Sequence, residues 1–326
     1  MSKVKYNWAT LGVGVIGHQL TEAMQKLGGN LYSVGNRTKS KAEEFAAKYK
    51  IDKIYDKPED VFSDKNVDII YISTPHNTHI NYLRPALAAG KHVLCEKSIT
   101  LNSAELKEAV GLAKANNVIL AEAMTIYHMP IYKKLDEIIK SGALGELRLV
   151  QMNFGSYKEY NMKNRFFNRN LAGGAMLDIG VYALSFVRWF MNSTPTEILS
   201  QVKFAPTGVD EQASILLKNQ QEEMATVILS LHAKQPKRGT ISFDKGYIEI
   251  FEYPRSSKAQ IVWTEDNRRE EIIAGDTANA LCYEVQDMEA AVSGERNDMH
   301  LDYTIDVMNI MTKIRNDWNM KYPEEE

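Results

Sequence analysis

Only two cysteines occur in 326 residues, Cys95 and Cys282. Far apart in the chain, they offer no disulfide framework and suggest free thiols in a reducing cytoplasm. Charge of one sign is also scarce. Lys and Arg number 39 against 42 Asp and Glu, a net charge of −3, so the basic footprint of a nucleic-acid binder is missing. No stretch approaches the ~18 uninterrupted apolar residues of a membrane span. Lys3 and Lys5 precede an apolar segment, but glycines punctuate it and no small-residue cleavage site follows, so a secretion signal is not expected. Internal repeats and low-complexity segments are absent as well. What remains is 44% hydrophobic and 25% charged, ordinary for a globular chain of two domains. A small molecule is the expected partner, with neither nucleic acid nor membrane.

The most informative segment that is present is Trp8 to Gly17, an apolar strand running into Gly12-x-Gly14-x-x-Gly17 and then into a helical pattern. In a dinucleotide site Gly12 permits the tight turn, Gly14 lets the backbone approach a pyrophosphate, and Gly17 lets helix and strand pack closely. The pyrophosphate sits on the helix N-terminus, where free N–H groups and the helix dipole favour an anion. Gly12, Gly14, Val15, Ile16 and Gly17 are therefore the expected contacts. Strand before and helix after give this otherwise common pattern its required context.

The first ~120 residues alternate strand patterns (6–11, 31–35, 68–73, 92–95, 118–121) with helical ones (18–27, 40–49, 77–89, 104–116). This predicts a Rossmann-type, doubly wound parallel sheet with crossover helices. After Met129 and Pro130 the texture changes. Helices are expected at 131–141, 177–189, 281–292 and 304–318, and strands at 147–154, 197–204, 213–217, 225–231, 240–243, 247–251 and 260–263. Such a run predicts an α+β domain with a large, mostly antiparallel open sheet, one face packed on helices. The expected boundaries are 1–122 and 123–326, with the last helices able to pack back on the first domain. An open sheet leaves an exposed face, so a homodimer or higher homo-oligomer is expected.

The end of the second strand reads Val34, Gly35, Asn36, Arg37, Thr38, Lys39, Ser40, Lys41. An NAD site would place a carboxylate there to grip the ribose 2′-hydroxyl. None is present. Arg37 instead offers a planar fork for a 2′-phosphate, with Asn36, Thr38 and one of Lys39 or Lys41 as further donors. NADP is favoured over NAD, the other reading being a solvated basic loop.

Two further strand ends carry polar residues. One is Ser73, Thr74, Pro75, His76, Asn77, Thr78, His79; the other is Cys95, Glu96, Lys97, Ser98. Ligands bind at the carboxyl edge of a doubly wound sheet, so Thr74, Pro75, Asn77, His79, Glu96 and Lys97 join the cofactor set. His76 and His79, with His92 nearby, have ligand-like spacing, but no carboxylate cluster completes a site and no metal is expected.

Together with Gly90-Lys91-His92-Val93, Gly173-Gly174-Ala175-Met176-Leu177-Asp178-Ile179-Gly180-Val181-Tyr182 and Thr207-Gly208-Val209-Asp210, these motifs strongly resemble the glucose-fructose oxidoreductase/inositol dehydrogenase (Gfo/Idh/MocA) family across nearly the whole chain. The resemblance implies a Rossmann domain followed by an α/β domain whose sheet often forms the oligomer interface. It maps the family lysine to Lys97, the family aspartate to Asp178 and the position four residues on to Tyr182. Many cyclitol dehydrogenases carry histidine at that last position. Tyrosine resembles the branch of glucose-fructose oxidoreductase, dimeric dihydrodiol dehydrogenase and NADP-dependent xylose dehydrogenases.

On a helix, positions four apart share a face, so Asp178 and Tyr182 are expected to point into one cleft. A phenol titrates near ~10, and a nearby ammonium favours the phenolate. Tyr182 is the expected acid/base, Lys97 its electrostatic partner and substrate anchor, and Asp178 the substrate orienter; Asp178 taking the proton stays open. Arg165 matches a cofactor-proximal arginine of the relatives, its other reading being a surface ion-pair partner.

The chain departs from the family at two places. Ser98 replaces the usual proline after Glu96-Lys97, which lets the loop relax to a trans bond and shifts Lys97. Thr125 and Tyr127 stand where dihydrodiol dehydrogenases place tryptophan and arginine, in a segment expected to line the cleft. The expected activity is that of an NADP-dependent dehydrogenase or reductase of a sugar, polyol or related hydroxylated molecule. A non-catalytic NADP-binding regulator and a reductase of an imine or conjugated double bond are the alternatives.

Overall fold

A computed structural model describes residues 3–326; the first two residues of the expected 1–122 domain lie outside the described residues. The chain forms two compact units, one made of Met1–Met124 with Ala278–Leu301, the other of Thr125–Thr277 with Asp302–Glu326. The chain leaves the first unit at 124, returns at 278 and leaves again at 301, so the second unit is interrupted by a return to the first.

The first unit holds six parallel strands: β1 (Trp8–Leu11), β2 (Ser33–Gly35), β3 (Lys53–Ile54), β4 (Ile69–Ile72), β5 (His92–Glu96) and β6 (Leu120–Ala123). Their order is β3-β2-β1-β4-β5-β6, the doubly wound arrangement. β1 and β4 are buried along their whole length, as sheets covered on both faces require. Four helices, α1 (Val15–Lys26), α2 (Lys39–Tyr49), α3 (His79–Ala88) and α4 (Ser103–Ala115), follow the strands. α4 begins as the sequence suggests, with the Asn102 side chain accepting from the N–H groups of Ala104 and Glu105. The two-residue β3 was not anticipated.

The second unit begins with α5 (Pro130–Lys140), β7 (Leu147–Gly155), α6 (Val181–Phe190), β8 (Glu197–Phe204), β9 (Asp210–Lys218) and β10 (Met224–Ser230). It continues through β11 (Arg238–Phe243), β12 (Gly246–Phe251), β13 (Lys258–Trp263) and β14 (Arg269–Ile273). The sheet order is β14-β13-β12-β11-β7-β10-β9-β8, antiparallel throughout except that β10 and β7 run parallel. Alternation decides the two faces. Ala213, Ile215 and Leu217 are buried, as are Ala225, Val227 and Leu229. On the other face Leu199, Leu216, Met224 and Ile228 are exposed. The apolar stretch Arg169–Phe190 is long enough to cross a membrane, yet 78% of its most apolar window is buried inside the protein.

α7 (Ala280–Val292) belongs to the first unit, where it packs on α1. Leu281, Cys282, Val285 and Met288 join the core around Trp8, Leu20 and Met24. Glu289 accepts from the Trp8 indole at 3.1 Å and from the backbone N–H of Lys5 at 3.0 Å. α8 (Leu301–Asp317) lies in the second unit but for its first residue. Both cysteines are buried free thiols.

Candidate active site

In the first unit the glycine turn has the geometry its sequence implies. Gly12 has φ +101°, and a Cβ there would lie 2.8 Å from the Ser73 carbonyl oxygen. A Cβ on Gly17 would press on the Gly12 carbonyl at 3.1 Å. Gly14 differs: nothing lies within 4 Å of its Cβ position, so no packing demand of the protein excludes a side chain. It is also the N-cap of α1, with no capping side chain and no acidic residue in the first turn. Val15, next in line, is 77% exposed, and Ile16 is half-buried. Unsatisfied helix N–H groups therefore face open space beside a bare backbone, which fits a dinucleotide pyrophosphate.

Beyond β2, Asn36 donates to the Thr38 carbonyl at 2.9 Å, and Arg37, Thr38 and Lys41 are exposed. Lys39 is committed to an ion pair with Asp56, which leaves Lys41 as the second cation of the loop.

The ends of β4 and β5 are tied together by His79. Its ring nitrogens lie 2.8 Å from the Thr74 carbonyl oxygen and 3.0 Å from that of Ser98, and the residue is wholly buried. Burial holds its pKa below the usual imidazole range. His79, expected in the cofactor set, thus ties together the loops that follow β4 and β5. Thr74 accepts the Thr78 hydroxyl at 2.9 Å, while Pro75 is exposed and Asn77 half-buried. Glu96 accepts the hydroxyl of Tyr71, and Lys97 is half-buried beside it.

The expected relaxation of the Lys97–Ser98 peptide is corrected: the bond is cis. Its surroundings account for the held segment. Ser98 to Leu101 are buried, His79 engages the Ser98 carbonyl, and the Ile99 N–H donates to Glu122 at 3.0 Å.

In the second unit Asp178 lies within a π-helical turn, Met176–Gly180, that runs into α6, and Tyr182 is the second residue of α6. The Val181 N–H reaches back five residues to the Met176 carbonyl, so the expected α-helical spacing is locally widened. The Asp178 side chain is 13% exposed, with Arg165 Nη2 at 3.7 Å. Arg165 itself is largely exposed, its guanidinium 4.5 Å from the Phe166 ring. Tyr182 is half-buried, its ring 6.2 Å from that of Phe154.

Sequence reasoning passed over the support of this turn. Asp210, noted only as part of a motif, is buried and accepts the Met176 N–H at 2.6 Å. Burial pushes its carboxyl up to about 7, against the pull of that bond.

Thr125 and Tyr127, expected to line the substrate cleft, do not. Both are buried. Thr125 donates to the Pro254 carbonyl at 2.7 Å, and Tyr127 stacks on Trp189 at 6.0 Å and meets the edge of Tyr303. Aromatic partners from α6 and α8 hold Tyr127 in the core, and the Pro254 carbonyl holds Thr125.

The doubly wound sheet with an open, glycine-bounded helix start is the arrangement of a dinucleotide-binding protein. Residues 6–124 match the family model of the oxidoreductase family NAD-binding Rossmann fold, and residues 132–249 that of the GFO/IDH/MocA C-terminal domain. Over 247 residues the chain is 32% identical to trans-1,2-dihydrobenzene-1,2-diol dehydrogenase of Mus musculus, covering 74% of each chain. The chain belongs to the Gfo/Idh/MocA oxidoreductase family. Among solved structures it is similar to a 3-ketoreductase from Actinomadura kijaniata in complex with NADP and TDP-benzene. That match has a TM-score of 0.84 and 18% identity and covers 95% of this chain and 97% of the other. An aldose-aldose oxidoreductase from Caulobacter crescentus matches with a TM-score of 0.83 at 21% identity, over 96% and 97%.

Proposed function

We propose that this oxidoreductase is an NADP-dependent dehydrogenase or reductase acting on a secondary hydroxyl, or the matching carbonyl, of a sugar, polyol or cyclic diol. The observation that carries the reading is the placement of Asp178 and Tyr182, a carboxylate and a phenol, both partly exposed on one continuous helical segment, the π-helical turn and the start of α6. The named activities of the relatives, a dihydrodiol dehydrogenase, a 3-ketoreductase and an aldose-aldose oxidoreductase, support the substrate class.

Bound NADP supplies the hydride acceptor or donor. Tyr182 Oη takes the substrate hydroxyl proton in oxidation and returns it in reduction. Asp178 orients the hydroxyl by accepting from it or its neighbour, and Arg165 restrains the carboxylate. Lys97, next after β5 at the carboxyl edge of the parallel sheet, supplies a cation on the cofactor side. Arg37, exposed and with no ion pair among the described residues, takes the 2′-phosphate, with Lys41 beside it. The exposed apolar face of Leu199, Leu216 and Ile228 supports pairing of two copies, which sedimentation would test.

The test is substrate-dependent reduction of NADP and of NAD with D-xylose and trans-cyclohexane-1,2-diol, and oxidation of NADPH with the corresponding ketone. Turnover with NADP exceeding that with NAD supports the reading. Binding of NADPH without turnover of any hydroxyl or carbonyl compound defeats it.

A further inference from the structure

The turn that carries Asp178 is fastened by groups remote in sequence. Asp210, the first residue of β9, is 0% exposed and sits beneath the Gly173–Gly174 pair. Its Oδ2 accepts the Met176 N–H at 2.6 Å. Met176 is in the first turn of the helical segment, where backbone donors have no partner within the helix, and Ala175 at the cap offers no side-chain acceptor. Asp210 fills that role from another strand.

The fit is close. Gly174 has φ +123°, and a Cβ there would lie 2.1 Å from Asp210 Oδ1. The Gly174 N–H donates to the Phe166 carbonyl at 2.9 Å and the Gly173 N–H to the Asn168 carbonyl at 3.0 Å. From the tail after α8, Tyr322 donates its hydroxyl to the Gly173 carbonyl at 2.7 Å. That tail is itself held, since the buried Arg315 makes two 2.8 Å bonds to Glu325 and lies over the Tyr322 ring. Asp210 Oδ1 has no hydrogen-bond partner among the described residues. A lone anionic oxygen buried in this way is costly, which favours a proton on Oδ1 while Oδ2 keeps its bond to Met176.

We propose that Asp210 is a positioning residue, acting through the Met176 N–H to set the height and angle of the turn that presents Asp178 and Tyr182, without touching substrate itself. This rests on the reading of Asp178 and Tyr182 as the substrate-facing pair. Asp178 is two positions after Met176 and Tyr182 six, so a small shift at the cap is delivered directly to both. A displacement of about 1 Å at reacting groups costs on the order of 100-fold in rate.

The test compares wild type, Asp210→Ala and Asp210→Asn in the full chain, with NADP and trans-cyclohexane-1,2-diol or D-xylose. Asp210→Ala is expected to lower kcat about ten-fold or more while the NADPH Kd stays within about two-fold, and to speed amide exchange at residues 176–179. Asp210→Asn, which keeps an acceptor for Met176, recovers both kcat and protection. Unchanged kcat and exchange in a folded Asp210→Ala protein overturns the proposal, as does an Asn variant no better than Ala. If the Ala variant does not fold, Gly174→Ala drives a methyl group into Oδ1 and leaves Asp210 chemically intact. It must then lower kcat at unchanged NADPH Kd, and unchanged kcat again overturns the proposal. The exchange measurement needs no substrate, so it reads the Asp210 bond even if Tyr182→Phe keeps wild-type kcat and the reading of the catalytic pair fails.

Discussion

The two units each present a helix that begins after a glycine turn, and the two beginnings are built in opposite ways. At α1 the donors open on empty space: Gly14 has no neighbour within 4 Å of its Cβ position, and no capping side chain or acidic residue follows. At the turn before α6 the space is filled. A Cβ on Gly174 would strike Asp210, and the carboxyl already takes the Met176 N–H. An open helix start is an anion site waiting for a ligand; a closed one is a fixed mount for side chains. Glycine serves both, at α1 by leaving backbone bare for a ligand and at Gly174 by making room for a buried acid.

The comparison can be broken at several points. The largest effect is expected from the mounted side chains. Tyr182→Phe removes the proton-transferring hydroxyl and should lower kcat about 10²- to 10⁴-fold, with NADPH affinity measured by fluorescence unchanged. Near-full activity would mean the mount carries another group.

Next is the pH dependence of the closed end. The Asp210 carboxyl is held up at about 7 in the folded chain, above its ordinary 3.8. The unfolded chain therefore releases this proton first as pH rises. Stability is fully present below about pH 4 and is lost as pH climbs toward 7, at up to about 1.4 kcal/mol per pH unit for one proton. Asp210→Asn should flatten that part of a denaturation-midpoint profile; an unchanged slope would show that the carboxyl is not the titrating group.

At the open end, Gly14→Asp places a carboxylate where the ligand anion belongs. The Kd for NADPH should rise about 10- to 100-fold while the free protein gains up to ~1 kcal/mol from the new cap, so affinity and stability move in opposite directions. Loss of both would show that Gly14 answers to packing after all. The smallest effect is at the second-strand loop. Arg37→Ala should narrow the preference for NADP over NAD by about ten-fold, read as the ratio of kcat/KM values, because one charge-assisted contact is removed.

Much of the open end was legible in the sequence because it is local. Strand, Gly12-x-Gly14-x-x-Gly17 and helix are contiguous, and Asn36 to Lys41 follow one strand, so spacing alone states the geometry. The closed end was legible only in part. Asp178 and Tyr182 stood out through family motifs, but the π-helical turn that contains Asp178 depends on backbone register, and Asp210 lies 34 residues from the N–H it binds. Thr125 and Tyr127 were misread for the same reason: Pro254, Trp189 and Tyr303, which draw them inward, are distant in the chain. Ser98 was expected to loosen its loop, whereas His79 and Glu122 hold it from two other elements.

The sequence by itself determined that there would be a parallel sheet with a dinucleotide edge, an open antiparallel sheet after it, and a basic residue where an NAD site would be acidic. Periodicity, glycine spacing and charge act over a few residues and need no partner to be read. Tertiary structure alone decided that α7 returns to the first unit, that Tyr127 is core, and that one helix start is open while the other is closed. Those outcomes depend on which distant side chain wins a buried space or an unsatisfied donor, and that competition is settled only when the chain has packed.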